Sequence, residues 1–230
     1  MTNNDLQESR FYVMGSYLWV FLVSSIWFLV FNIPVLLAIL VQAAFKNGLF
    51  EIVLLVVSIF IGPNLIALFY TVNKARRSEN IMENISKNYL KGYKNNFFEG
   101  MFYWVFYLAI FLIFNFNRLY FLKLGGSIKN VSYIFNVLQI ILVSVAIMNF
   151  VIISRFYLSI KNALKISIYE SFKNIGVFLK ILGVVVIYGF LYKYLGNSML
   201  ILISFVAYAI IILLQPVLED VQSRFTNKNQ

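Results

Sequence analysis

Two residue types that carry much protein chemistry are missing, because the 230-residue chain contains neither cysteine nor histidine. Without cysteine there is no disulfide framework, no Cys-ligated metal site and no thiol nucleophile. Without histidine the chain lacks the commonest general base, proton relay and zinc ligand. Only nine acidic residues remain, and they lie in loops, tails and helix ends. These absences predict a protein that is not an enzyme and holds no metal or cofactor.

Charge is also scarce, since only 12% of the residues are charged while 61% are hydrophobic and 18% aromatic. A soluble domain is about half apolar and about one quarter charged. The apolar residues form long charge-free runs, and about 20 such residues in a helix match the roughly 30 Å hydrocarbon core of a bilayer. We therefore predict an all-α, polytopic membrane helix bundle that forms one domain over residues 1–230.

Six runs are long enough to span the membrane, at residues 17–45, 52–73, 100–117, 131–154, 175–192 and 198–216. The first is longer than needed, so part of it is expected outside the hydrocarbon or beyond a kink at Pro34. The fifth contains Lys180, so it either begins later or lets this lysine reach the interface. The first ten residues, with Asp5 and Glu8, lack the basic region of a secretory signal, so the first run is expected to remain as an anchor.

The distribution of cations predicts the orientation. With six spans, fourteen Lys and Arg residues fall on the side of the N-terminus and five on the opposite side. The positive-inside rule then places both termini in the cytoplasm. Although the net charge is +10, the cations form no stripe that could follow a nucleic-acid backbone. We therefore expect anionic lipid headgroups, and no nucleic acid, as partners.

The segment at residues 80–98 has an amphipathic helical pattern, with the spacing from Asn80 to Glu83 resembling a capping box. Its apolar side chains recur every four residues, at Ile81, Ile85, Tyr89, Tyr93 and Phe97. The opposite face carries Lys87, Lys91 and Lys94. We expect this cytoplasmic helix to lie along the inner membrane surface, with its lysines toward headgroups or a partner. The alternative is an ordinary connector packed under the bundle.

A short motif in this segment recurs later in the chain. Residues 87–91 read Lys-Asn-Tyr-Leu-Lys and residues 161–165 read Lys-Asn-Ala-Leu-Lys, each before a membrane run. The similarity indicates either a duplicated unit or a chance match in a chain rich in Lys and Asn.

Polar side chains within the runs include no central Asp or Glu, which argues against an ion-coupled carrier. Four amides remain as candidate intramembrane contacts, Asn64, Asn136, Gln139 and Asn149. They can hydrogen-bond a neutral solute or neighbouring helices. The pair Gly62-Pro63 predicts a kink or a tight helix crossing, or else a broken helix that forms a site.

The second run also carries a recognisable pattern. Gly62-Pro63, Ala67-Leu68-Phe69-Tyr70, Val72 and Lys74 resemble the Gly-Pro-Ala-x-x-Ala-Leu-x-x-Val-x-Lys signature of the YesL-like family of bacterial membrane proteins. Upstream, Trp27 and Asn32 to Pro34 resemble that family's first helix, and residues 89–97 resemble its Phe-x-x-x-Phe/Tyr-Lys-x-Asn-Phe stretch. Asn64 departs from the pattern, because the family prefers Ala there.

The resemblance implies a multi-pass protein of the bacterial plasma membrane from a largely uncharacterised family whose members tend to be encoded beside carbohydrate uptake systems. The function it implies is that of an accessory or scaffold protein in carbohydrate import or its regulation, with sugar-importer subunits as partners. The alternative is a permease-like pore subunit of an ATP-driven importer. Glu170 and Gly176 have the spacing of the Glu-Ala-Ala-x-x-x-Gly element of such permeases, but Ser171 and Phe172 replace its alanines. The oligomeric state is not predicted.

Overall fold

The computed structural model describes residues 10–45, 48–156 and 158–226, and this part of the chain contains helices and no strand. Predictions that concern residues 1–9, Lys46 or Lys228 lie outside the described residues. The ten α-helices in these ranges are α1 Arg10–Phe31, α2 Ile33–Phe45, α3 Gly48–Val57, α4 Ile61–Arg77, α5 Ile85–Asn95, α6 Phe97–Leu124, α7 Val131–Arg155, α8 Ile160–Lys173, α9 Ile175–Leu195 and α10 Ile203–Thr226. Short 3-10 turns precede α4, α7 and α10.

Among the described residues, six helical stretches are long and apolar enough to cross a membrane, which confirms the predicted all-α membrane bundle. They are Phe11–Phe31, Gly48–Arg77, Phe97–Leu124, Gly126–Arg155, Ile175–Leu195 and Met199–Arg224. The fifth, with 21 residues, extends for about 32 Å at a rise of about 1.5 Å per residue. The chain is thus a multi-pass membrane protein. Its cytoplasmic side remains the one predicted from the cations.

The first apolar run is divided into two helices at Asn32. The Asn32 backbone N–H donates to the carbonyls of Phe28 at 3.2 Å and Leu29 at 3.1 Å, and its side chain donates to Phe28 at 3.0 Å. Pro34 is the second residue of α2, where a missing N–H is tolerated. The stretch predicted as one span at 17–45 is therefore a crossing helix, α1, followed by the separate 13-residue helix α2.

The buried core is centred on α4. Ile66, Ala67 and Leu68 are fully buried, and the same cluster includes residues of α1, α6, α7, α9 and α10. The pair α2 and α3 contributes little, since only Val35 and Ala38 of α2 are buried and no residue of α3 is. The long helices around α4 therefore set the positions of the elements described below.

Two short helices, α5 and α8, occupy equivalent positions between consecutive spans. Each ends at a single asparagine, Asn96 or Asn174, after which the next spanning helix begins directly. The third residues of the two similar motifs, Tyr89 and Ala163, are both fully buried. This correspondence is what a duplicated unit of spanning helix, short helix and spanning helix predicts.

Candidate functional site

The short helix α5 packs lengthwise along α4. Lys74 donates a 2.7 Å hydrogen bond from Nζ to Asn88 Oδ1. Further along, Gly92 lies so close to Tyr70 that a Cβ atom at this glycine would be 2.9 Å from Tyr70 Cδ1. The contacts follow opposite order in the two helices, so α5 and α4 are antiparallel. The helix therefore follows α4 and does not lie flat beneath the bundle.

The start of α5 differs from the prediction. The helix begins at Ile85, after Asn84 in the left-handed conformation with φ of 53°, and Asn84 makes no side-chain capping hydrogen bond. The predicted capping box of Asn80 and Glu83 is therefore wrong. Short polar side chains tolerate the left-handed region, and this reversal turns the chain back along α4.

The apolar face of α5 is buried in protein. Tyr89 is fully buried and Ile85 is 5% exposed. The ring of Tyr89 stacks on Trp27 and Phe31 of α1, with centroid distances of 6.4 Å and 6.0 Å, and Tyr93 stacks on Phe31 at 4.2 Å. The prediction that this helix lies along the inner membrane surface is therefore wrong for Ile85 and Tyr89, because residues of α1 and α4 already cover these side chains.

A hydrogen-bond network at Asn64 fastens α5 to two spanning helices. The fully buried Asn64 donates from Nδ2 to the carbonyl of Phe28 at 2.9 Å. The hydroxyl of Tyr89 donates to Asn64 Oδ1 and lies 3.2 Å from the Asn64 backbone carbonyl. Burial raises the pKa of Tyr89 well above its usual range, so this donor stays protonated. The network joins α1, α4 and α5 through groups with no access to water.

A close crossing of α4 and α6 lies beside this network. A Cβ atom added at Gly62 would lie 2.1 Å from the Gly100 carbonyl oxygen, and one added at Gly100 would lie 2.5 Å from the backbone nitrogen of Pro63. Trp104 of α6 donates from Nε1 to Ser58 Oγ at 3.1 Å. The structure thus places Gly62-Pro63 at a backbone-to-backbone contact at the start of α4.

The three lysines of α5 remain on its outer surface. Lys87, Lys91 and Lys94 are all exposed. The helix is held further by Trp27, which donates from Nε1 to Ser86 Oγ at 2.9 Å. Together with the Asn64 network and the glycine crossing, this contact defines what we call the α5 junction. It combines a buried polar attachment with three outward-facing ammonium groups.

The four intramembrane amides are not brought together. Asn64 belongs to the α5 junction, whereas Asn149 of α7 donates from Nδ2 to Ser167 Oγ of α8 at 2.8 Å. Asn136 and Gln139 are partly buried and lie several turns earlier on α7. Asn64 and Asn149 therefore link helices within the protein. Within the described ranges, no group of three acidic side chains converges to hold a metal ion.

A cavity of about 420 Å³ lies among α4, α6, α7, α9 and α10. Its wall is almost entirely apolar and includes Leu68, Phe69, Trp104, Ala146, Tyr188 and Ala207. None of the four candidate amides lines it. Sequence reasoning did not find this cavity, because residues that line it have the same apolar character as residues that face lipid.

An ion-pair network joins α8 to the end of α10. The carboxylate of the fully buried Glu170 accepts hydrogen bonds from Arg224 and from Asn174 Nδ2, the latter at 2.7 Å. Asp220 Oδ2 lies 2.9 Å from Arg224 Nη2 and 2.5 Å from Lys173 Nζ. The hydrogen bond to Asp220 raises the pKa of Lys173. Glu170 is thus engaged within the protein.

Comparison with known proteins gives a match to a protein family. No curated protein and no solved structure matches the chain significantly. The matching family model is described as "Protein of unknown function, DUF624", and its match begins in α1 and ends within α6. The matched segment contains the whole α5 junction. This description denotes the YesL-like family. Residues 12–118 of the chain therefore match that family.

Proposed function

We propose that the whole chain is a YesL-like protein of the bacterial plasma membrane and serves as an accessory or scaffold protein in carbohydrate import or its regulation. The observation that carries the proposal is the α5 junction, a short helix whose three lysines face outward. Trp27 and Tyr89 of the family pattern fix this helix together with Asn64, which departs from that pattern. The link to carbohydrate comes from the family resemblance. No catalytic role is part of the proposal.

A fixed basic helix is suited to recognition of an acidic partner surface. Because α5 is held by buried contacts, a partner would meet Lys87, Lys91 and Lys94 already in position and lose less conformational entropy on binding. Exposed charges of this kind contribute mainly to the rate and specificity of association. We therefore place the contact with an importer subunit on this face of α5.

Movement of the sugar itself is assigned to the partner. A sugar-conducting path needs polar groups that converge on the solute, as in other specific sites. Here the amides bind other helices or lie apart, and the cavity wall is almost entirely apolar. These features support an accessory role more than a conducting one.

The alternative, a permease-like pore subunit of an ATP-driven importer, has less support. Its docking element would require an accessible Glu170, but this carboxylate is fully buried and hydrogen-bonded to Arg224 and Asn174. Co-purification of an ATPase that is lost in a Glu170→Ala variant, with the fold intact, would favour the alternative.

The experiment compares two charge-removal variants, one that removes three lysines from α5 and a control that removes two from α8. Replacing Lys87, Lys91 and Lys94 by Gln is expected to abolish co-purification of importer subunits and to reduce oligosaccharide uptake to the level of a gene deletion. The control replaces Lys161 and Lys165 on α8, which are also exposed and belong to the similar motif. The proposal would be contradicted if the deletion strain took up every sugar carried by the importers encoded beside the gene at an unchanged rate. Equal effects of the two variants would also contradict it.

A further inference from the structure

The apolar cavity has the size and wall of a binding site for a hydrocarbon chain. Its volume of about 420 Å³ lies within the roughly 300–1,000 Å³ range of ligand pockets. Protein interiors are close-packed, and an apolar void of even about 150 Å³ stays dry and binds apolar molecules. The cavity is partly open and not enclosed, and Leu108, Phe111 and Leu142 of its wall are partly exposed, so it can be reached from the surrounding bilayer. In the bilayer, lipids are the abundant molecules, and their acyl chains have the apolar character of the cavity wall.

Polar groups follow the cavity along α4 toward its C-terminal end. Phe69 lines the cavity, and Asn73 and Arg77 come at successive intervals of four residues, on roughly the same helical face. Asn73 is 1% exposed, and its amide has no hydrogen-bond partner among the described residues. Eight residues separate Phe69 from Arg77, which is about 12 Å along a helix. A polar group and then a cation therefore follow the apolar wall.

A second helix of the cavity wall, α7, also ends at an arginine. Ile147 of α7 lines the cavity, and Arg155 lies eight residues further along the helix. Its guanidinium interacts electrostatically with Arg76 and Arg77, and with the carboxylate of Glu219. We call Arg76, Arg77 and Arg155 the arginine cluster. With one carboxylate nearby, the cluster keeps a net positive charge.

Glutamine side chains of α10 hold two of these arginines. Arg76 donates to Gln215 Oε1 and Arg155 donates to Gln222 Oε1. Neither bond neutralises a guanidinium, because glutamine carries no charge. The cluster therefore keeps its net positive charge at the ends of α4 and α7, two of the helices that enclose the cavity.

We propose that the cavity and the arginine cluster together bind one anionic phospholipid, with an acyl chain in the cavity and the headgroup phosphate at Arg76, Arg77 and Arg155. The apolar cavity matches the acyl chain of a phospholipid, and the positive charge of the arginine cluster matches its phosphate. The site is separate from Lys87, Lys91 and Lys94, so it does not rest on the proposed function.

Trp104 in the cavity wall provides a direct probe. The full chain would be reconstituted in vesicles containing phosphatidylglycerol or phosphatidylcholine with brominated acyl chains, which quench tryptophan fluorescence on contact. The chain has three tryptophans, so the difference between the natural chain and a Trp104→Phe variant isolates the signal of Trp104. The signal that remains in the Trp104→Phe variant comes from Trp19, which is 53% exposed, and from the partly buried Trp27, and it reports ordinary bilayer contact.

We expect Trp104 to reach half-maximal quenching at about a tenfold lower mole fraction of the anionic lipid than of the zwitterionic lipid. The tryptophans that remain in the Trp104→Phe variant should show no such preference. A double variant, Arg77→Gln with Arg155→Gln, should remove the preference while Lys74 and Arg76 keep their positive charge at the end of α4. The preference should be retained in the triple variant in which Gln replaces Lys87, Lys91 and Lys94. Filling the cavity by Ala146→Leu, or by Val206→Phe if the first variant fails to fold, should weaken quenching of Trp104 by both lipids.

Three results would overturn the proposal. Absence of quenching of Trp104 by either lipid would show that no acyl chain enters the cavity. Equal quenching by the two lipids would remove the role of the arginine cluster. A preference that survives the arginine variant but is lost in the lysine variant would place the lipid on α5.

Discussion

The crossing of Gly62 and Gly100 is the contact at which a single methyl group should be most harmful. A Cβ atom at Gly62 would lie 2.1 Å from the Gly100 carbonyl oxygen and 2.7 Å from Trp104 Cβ. The obstacle includes backbone, so it cannot rotate away, and α4 and α6 would have to separate by about 1 Å to reach ordinary contact distance. Overpacking a tight site costs about 1–3 kcal/mol, and we expect Gly62→Ala to lie at the upper end. About 3 kcal/mol corresponds to roughly a hundredfold change in the unfolding equilibrium.

The assay is denaturant titration of the detergent-purified chain, followed by circular dichroism, for Gly62→Ala and Gly183→Ala. Gly183 also lies inside a spanning helix, but a Cβ atom there would meet nothing within 4 Å. Its replacement should leave stability unchanged or raise it by about 0.5–1 kcal/mol, because alanine favours the helix. Equal stabilities of the two variants would refute the close crossing.

Three further changes test the surrounding contacts. Asn64→Ala should lower the free energy of unfolding by about 1–2 kcal/mol in the same titration. The hydroxyl of Tyr89 would then keep only the backbone carbonyl of residue 64 as an acceptor. An unchanged free energy of unfolding would exclude the network. Arg224→Gln should lower the free energy of unfolding by about 2 kcal/mol, because it removes the charged partner of the buried Glu170. Lys173→Gln should have a smaller effect, because it breaks an exposed ion pair. Equal losses of stability in the two variants would contradict this difference. Replacing Lys74, Arg76 and Arg77 together by Gln should give mixed topology in reporter fusions, and a uniform orientation would show that other signals dominate.

The long apolar helices could be predicted from sequence because the bilayer imposes a length and a composition on each of them. The break at Asn32 was harder to place, since Pro34 offered the stronger local signal. In the structure Asn32 ends α1 through hydrogen bonds to Phe28 and Leu29, and Pro34 belongs to the next helix. A proline in the first turn of a helix begins it, whereas one in the interior bends it.

The amphipathic pattern of α5 was predicted, but the surface that receives its apolar face was not. Periodicity shows that a face is apolar and cannot distinguish lipid from protein as its neighbour. The deciding contact joins Tyr89 to Asn64, 25 residues away in sequence. For the same reason Asn64 could be regarded as a solute contact until its partners in α1 and α5 were known.

The ion pair of Glu170 and Arg224 shows the same limit. The two residues are 54 positions apart, and the spacing of Glu170 from Gly176 suggested a docking element instead. Neither residue lies in a motif that predicts the other. Such contacts depend on how α8 and α10 pack, which local sequence patterns do not determine.

The central claim is that α5 is fixed in the bundle with one face buried and its lysines open to the cytoplasm. Because the chain has no cysteine, single Lys91→Cys and Ile85→Cys variants would each carry one thiol for a membrane-impermeant maleimide. Residue 91 is exposed and residue 85 is 5% exposed, so only Lys91→Cys should react rapidly, and only in inside-out vesicles. Equal labelling of the two positions, or labelling of Lys91→Cys from the outer side, would contradict the claim.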